Sequence, residues 1–248
     1  MSKAPLILIH GMGLCQEMWQ PFVPALETAG YEVLSFDLWG HGTTNPAPET
    51  PSLHLYGQQI LDLMDEREIA KAHLVGFSIG GMINRRLALD HPDRVASLVI
   101  WNSPHDRGEV AQEAVEGRAQ QVRSDGPMAT MEAALERWFT PSFYNANPDI
   151  LERVRAWRRQ ADAQSYAGTA WVLANGVREL IGPDQPRSIP TQVLTCENDV
   201  GSTPAMAQQI ARDLGAPEAL IIPELKHLGL MERPELFLEP LLAFLTDL

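Results

Sequence analysis

Cysteine is scarce in this chain, and so is positive charge. Of its 248 residues only Cys15 and Cys196 are cysteines. Two cysteines in a chain this long make no disulfide framework, and no Cys/His cluster has zinc-ligand spacing. The N-terminal MSKAPLILIHGMG holds one lysine and an apolar run of only LILI, too short for the core of a secretory signal. No apolar stretch reaches membrane-spanning length. Against 32 Asp and Glu stand 19 Lys and Arg, a formal net charge of −13. That surplus argues for solubility and against nucleic acid or anionic membrane as the main partner, and the lack of a disulfide framework, signal core and membrane span makes the expected compartment cytoplasmic.

What is present is a rhythm. Short apolar runs recur as PLILIH (5–10), YEVLSFD (31–37), AHLVGF (72–77), RVASLVIW (94–101), TQVLTCE (191–197) and EALIIPE (218–224). Near-continuous rather than alternating, they read as strands covered on both faces. QEMWQPFVPALETAG and GGMINRRLALDHPD, lying between them, have helical spacing. The pattern predicts an α/β protein with a mostly parallel sheet of about six strands.

The rhythm breaks between Trp101 and Thr191, where four stretches look helical and no strand is evident. Helices gathered between two strands read as an insertion. Its edges, NSPHDRG and GPDQPRSIP, have junction composition. The division is therefore a core of 1–102 and 188–248 with a helical cap over 103–187. The insertion has ten Arg, no Lys and twelve Asp or Glu. Arginine binds carboxylate in a fixed fork, so the cap could read an acidic small molecule, although most such arginines serve surface salt bridges.

Chemistry concentrates at GFSIGG, residues 76–81, where a strand gives way to a helix. Gly76-Phe77-Ser78-Ile79-Gly80 matches G-x-S-x-G in the context that motif needs, a sharp turn presenting a serine. A serine hydroxyl needs a base to take its proton. Of seven histidines, His227 stands out in the loop after the last strand. An acid to orient it belongs just past a strand end, and Asp199 in TQVLTCENDVG fits, ahead of Glu197 and Asp106. Backbone N–H groups of Met12, in HGMG after the first strand, and of Ile79 can hold an oxyanion. His10, Trp39, Trp138 and Trp171 are candidates for the substrate pocket, with packing the plainer role for the tryptophans. Cys15 reads as a small buried filler.

HGMGLCQEMW, DLWGHG, GFSIGGMINRRLALDHPDRVASLVIWNSP, ENDVGSTP and KHLGLMERPELF follow one another in an order that resembles the α/β-hydrolase superfamily, over nearly the whole chain. The resemblance implies Ser78, Asp199 and His227 as a triad, Met12 and Ile79 as oxyanion donors, and 103–187 as the cap. RWFTPSF, SYAGTAWVLA and KHLGLMERPELF look most like the 3-oxoadipate enol-lactonase-like branch of small ester and lactone hydrolases. Two features depart from it: enol-lactonases tend to have serine where this chain has His10, and the usual N-terminal antiparallel hairpin is missing. Ser78 argues against haloalkane dehalogenases and epoxide hydrolases, which place aspartate there. Carbon–carbon bond hydrolases and cofactor-free perhydrolases share the triad and stay open, as does a non-catalytic receptor built on the same fold. The expected activity needs no cofactor or metal and acts on a small ester or lactone, one that could carry a carboxylate.

Overall fold

In the computed structural model, which describes residues 3–182 and 185–248, all six expected strands form. They are β1 (Leu6–Ile9), β2 (Val33–Phe36), β3 (Ala72–Phe77), β4 (Val95–Trp101), β5 (Thr191–Cys196) and β6 (Leu220–Ile222). They make one sheet in the order β2-β1-β3-β4-β5-β6, and every neighbouring pair is parallel. The helices are α1 (Val23–Thr28), α2 (Leu53–Glu66), α3 (Ile79–Asp90), α4 (Gly108–Asp125), α5 (Met131–Trp138), α6 (Pro141–Ala146), α7 (Pro148–Gln160), α8 (Ala163–Asn175), α9 (Pro204–Leu214), α10 (Gly229–Glu232) and α11 (Glu235–Thr246). Positions 183 and 184 of the second expected junction lie outside the described residues.

Strand periodicity sorts the core into two layers. Leu6, Leu8, Val75, Phe77, Val99 and Trp101 point to one face and pack with Phe22, which precedes α1, Leu26 of α1, and Phe237 and Leu241 of α11. Ile7, Ile9, Leu74, Leu98 and Ile100 point to the other, against Ile60 of α2, Ile83 of α3 and Ile210 of α9. Helices on both faces explain why the strands read as unbroken apolar runs.

The strand order reverses around β1, which lies between β2 and β3. In open parallel sheets ligands bind beyond the carboxyl ends of the strands at such a reversal. Helices α4 to α8 all fall between β4 and β5, as the break in rhythm predicts. Helices α2 and α6 are additions to the sequence reading. A Ser52 cap on Leu55 N–H starts the first, and Thr140 and Pro141 start the second.

Candidate active site

Residues beyond the carboxyl ends of β1, β3, β5 and β6 converge on one cavity of about 130 Å³. Its lining includes Met12, Ser78, Asp199 and His227 from the sheet side, together with side chains of α4, α5, α7 and α8.

Ser78 sits between β3 and α3 with φ 57° and ψ −115°. A side chain in that region strains the backbone by about 1–3 kcal/mol, held only where the surroundings dictate it. The surroundings do so here. Ser78 N–H donates to Trp101 O at 2.9 Å, and the turn is too tight for side chains on its glycines. A Cβ on Gly76 would stand 2.3 Å from Gly80 O, and one on Gly80 would stand 2.3 Å from Ile9 O. The glycines of the motif therefore permit close approach, while the positive φ falls on the serine itself.

His227 and Asp199 meet across the ends of β5 and β6. His227 Nδ1 lies 2.7 Å from Asp199 Oδ2. Asn102 Nδ2 donates to the same oxygen at 2.9 Å, and the amides of Gly201 and Ser202 donate to Oδ1 at 2.9 and 3.0 Å. Burial pushes the Asp199 carboxyl up, but the facing imidazole and these donors outweigh it and hold the group below the usual carboxylate range. The rival acids are engaged elsewhere. Glu197 accepts from Glu224 N–H, and Asp106 accepts from Gly108 N–H.

Neither the Ser78 hydroxyl nor His227 Nε2 hydrogen-bonds to another group among the described residues. The ring of His227 is flanked by Phe77 at 4.9 Å and Trp138 at 6.1 Å between centroids. Its neighbours in sequence reach the end of α5: Lys226 Nζ donates to Glu136 O at 2.8 Å and Leu228 N–H to Trp138 O at 2.9 Å. Ile79 heads α3, where first-turn amides have no intrahelical partner and favour an anion.

The four pocket candidates divide. Trp138 lines the cavity. His10, Trp39 and Trp171 are not part of its lining, a correction to the sequence reading. His10 is fully buried, its Nε2 accepting from Leu38 N–H at 2.9 Å and its Nδ1 lying 2.8 Å from Gly11 O. Both ring nitrogens are thus committed to the backbone, and burial pushes the ring's pKa down. Trp39 packs with the core on the α2 face, and Trp171 is 38% exposed with Arg123 over its ring. The Cys15 thiol is buried and pushed up to about 12, which removes it as a nucleophile near neutral pH.

Sequence reasoning missed Asn102, the fourth donor to Asp199. Its signal was register: Trp101 pairs with Leu194 and Asn102 N–H donates to Leu194 O, so the residue after β4 stands beside the end of β5, which Asp199 follows. Asn102 also has positive φ, 46°.

Known proteins resemble the chain in sequence and in overall fold. The chain is 29% identical over 237 residues to 3-oxoadipate enol-lactonase 2 of Acinetobacter baylyi, covering 95% of this chain and 86% of that protein. It is 28% identical to the (E)-2-((N-methylformamido)methylene)succinate hydrolase of the same organism, covering 93% and 86%. The solved enol-lactonase of Burkholderia xenovorans superposes with a TM-score of 0.86 at 27% identity, over 98% of this chain and 92% of that one. With a six-stranded parallel sheet, a serine turn after β3, and a match of residues 6–239 to the alpha/beta hydrolase family, the chain belongs to that family.

Proposed function

We propose that the protein is a serine hydrolase that cleaves a small carboxylic ester or lactone through an acyl-enzyme. The observation that carries this is the 2.7 Å contact between His227 and buried Asp199 beside a cavity that Ser78 also lines. Ser78 Oγ attacks the carbonyl carbon while His227 Nε2 takes its proton. Asp199 fixes the tautomer that leaves Nε2 free and stabilises the imidazolium. The amides of Met12 and Ile79 hold the developing oxyanion. Collapse of the tetrahedral adduct expels the alkoxide or enolate, which takes the proton from His227. A water then attacks the acyl-enzyme, losing a proton to His227; the second adduct breaks its bond to Oγ and releases the acid, and Ser78 Oγ takes the proton back from His227. Residues 103–187 act as the cap that shapes the substrate. The relatives named as an enol-lactonase and a succinate hydrolase support hydrolysis of small molecules of this kind.

The test is steady-state hydrolysis of p-nitrophenyl esters and simple lactones by the wild type and Ser78→Ala. Losing a triad serine typically costs roughly 10⁶-fold in kcat, so turnover should fall to background while thermal unfolding is retained. Undiminished turnover in Ser78→Ala would remove the serine mechanism. A folded wild type that binds ligand without sustained turnover would make the protein a receptor.

A further inference from the structure

The loop Gly11-Met12-Gly13 is held from the sheet side at its first residue. A Cβ on Gly11 would stand 2.9 Å from Phe77 Cδ1, so the loop rests on the ring next to Ser78. Gly11 O lies 2.8 Å from His10 Nδ1 and accepts from Leu14 N–H at 3.2 Å. A peptide unit is planar and trans, so fixing that oxygen sets the line along which Met12 N–H points. How far the unit stands from Ser78 is left to whatever bears on Met12 and Gly13 from the opposite side.

That side is occupied by Tyr166 of α8, which is fully buried. Gly13 has φ 73°, and a Cβ there would stand 3.1 Å from Tyr166 Cε2 and 3.5 Å from Arg158 Cδ. Met12 packs against the sheet-side core with Ile9 and Ile79, and also against a cluster of Tyr166, Ala119, Val122 and Ala170 from the inserted helices. Tyr166 is itself seated. The Arg158 guanidinium carbon lies 5.0 Å from its ring centroid, and Arg158 is fixed by Pro127 O and Thr130 Oγ1.

The first turn of α8 is in turn docked on the core. Asp162 N–H donates to Gly40 O at 2.9 Å, and Ala47 N–H donates to Ser165 Oγ at 2.9 Å. A Cβ on Gly40 would stand 2.2 Å from Ser165 Cβ, so the two surfaces meet without a gap. Close-packed contacts of this kind transmit position. Tyr166 is not part of the cavity lining, and no hydrogen bond among the described residues joins its hydroxyl to the loop. Its ring therefore acts on the loop by contact, and not on a ligand.

We infer that Tyr166 is a positioning residue for the oxyanion site, its ring edge holding Met12 N–H at bonding distance from the oxygen of the carbonyl that Ser78 attacks. This rests on the oxyanion role proposed for Met12. The inserted helices then serve the chemical step through α8, apart from any part they take in choosing the substrate.

The test measures kcat and KM for a p-nitrophenyl ester and for its thionoester, whose sulfur is a poor hydrogen-bond acceptor. Preference for the oxygen ester reads the oxyanion donors, and a general loss of packing does not move it. A misplacement of about 1 Å costs roughly 10²-fold, and a whole oxyanion donor is worth roughly 10²–10³. Tyr166→Leu should therefore lower kcat on the oxygen ester by roughly 10- to 100-fold with KM nearly unchanged, and should shrink the preference in step. Tyr166→Phe keeps the ring edge and should keep both. Tyr166→Met fills the same space with a flexible chain, should behave as Leu does, and covers a Leu variant that fails to fold. A preference unchanged in the Leu and Met variants would overturn the inference, as would a loss shared by Phe. Failure of the underlying reading is seen in the wild type alone. No preference there removes the oxyanion site, and turnover that is absent or survives Ser78→Ala removes the serine mechanism; either takes the inference with it.

Discussion

The sheet and the α4–α8 segment treat charge in opposite ways. At the sheet's carboxyl edge the buried acid is met from every side, with Asp199 receiving His227, Asn102 and two amides. Across the cavity, the segment contributes guanidiniums with few partners. Full satisfaction fixes a geometry, while unsatisfied charge waits for a ligand. On the proposed reading, the reaction chemistry belongs to the sheet edge and discrimination between substrates to the helices.

The sharpest way to break it is at the acid. Asp199→Asn should lower kcat by roughly 10⁴-fold, because the imidazole is left in the wrong tautomer. Glu197→Gln, at the rival position, should leave kcat unchanged. Comparable losses from both, in steady-state ester hydrolysis, would mean that the acid has been misassigned.

Next in size is backbone tolerance. Gly80→Ala forces a Cβ against Ile9 O at 2.3 Å and should destabilise the fold by about 3 kcal/mol or more. Gly117→Ala, inside α4 with nothing within 4 Å of its Cβ, should instead stabilise by up to about 1 kcal/mol. Urea unfolding of both measures the asymmetry. If the two alanines cost the same, the tight turn is not the constraint described.

The smallest effect concerns acid. His41 is buried, and burial followed by neighbouring His10 depresses it to about 3. The unfolded chain takes up that proton near pH ~6.5, and the folded chain does not. The stabilising contribution is therefore complete above ~6.5 and fades as pH falls towards 3. Each such histidine should cost about 1 kcal/mol per pH unit below that point. Urea midpoints at pH 7.5 and 5.5 test this. Stability unchanged across that interval would show that His41 protonates in the fold. The depressed carboxylates Asp37 and Asp199 add their own acid loss only at lower pH.

How much could be read in advance follows the same division. The six strands were legible because a parallel sheet covered on both faces writes continuous apolar runs. That Ser78, Asp199 and His227 come together was legible because each follows a strand end, where local sequence dictates the turn. Asn102 was missed because its role depends on the register of β4 against β5. Which of the tryptophan candidates lines the pocket and which only packs was not legible, because a residue type does not say which way a side chain points. Trp171 faces outward to Arg123, and only Trp138 meets the cavity. For the arginines, the sequence could count ten in the insertion but not tell which lie at the cavity without an acid to match.

The hydrogen bonds that run from Lys226 and Leu228 to the end of α5 have a mechanical meaning. They act as a latch placed on either side of the histidine. Any swing that lifts that end of α5 from the core must either undo both fastenings or drag His227 away from Asp199. On the proposed mechanism, lifting that end of α5 and keeping His227 against Asp199 would therefore exclude one another.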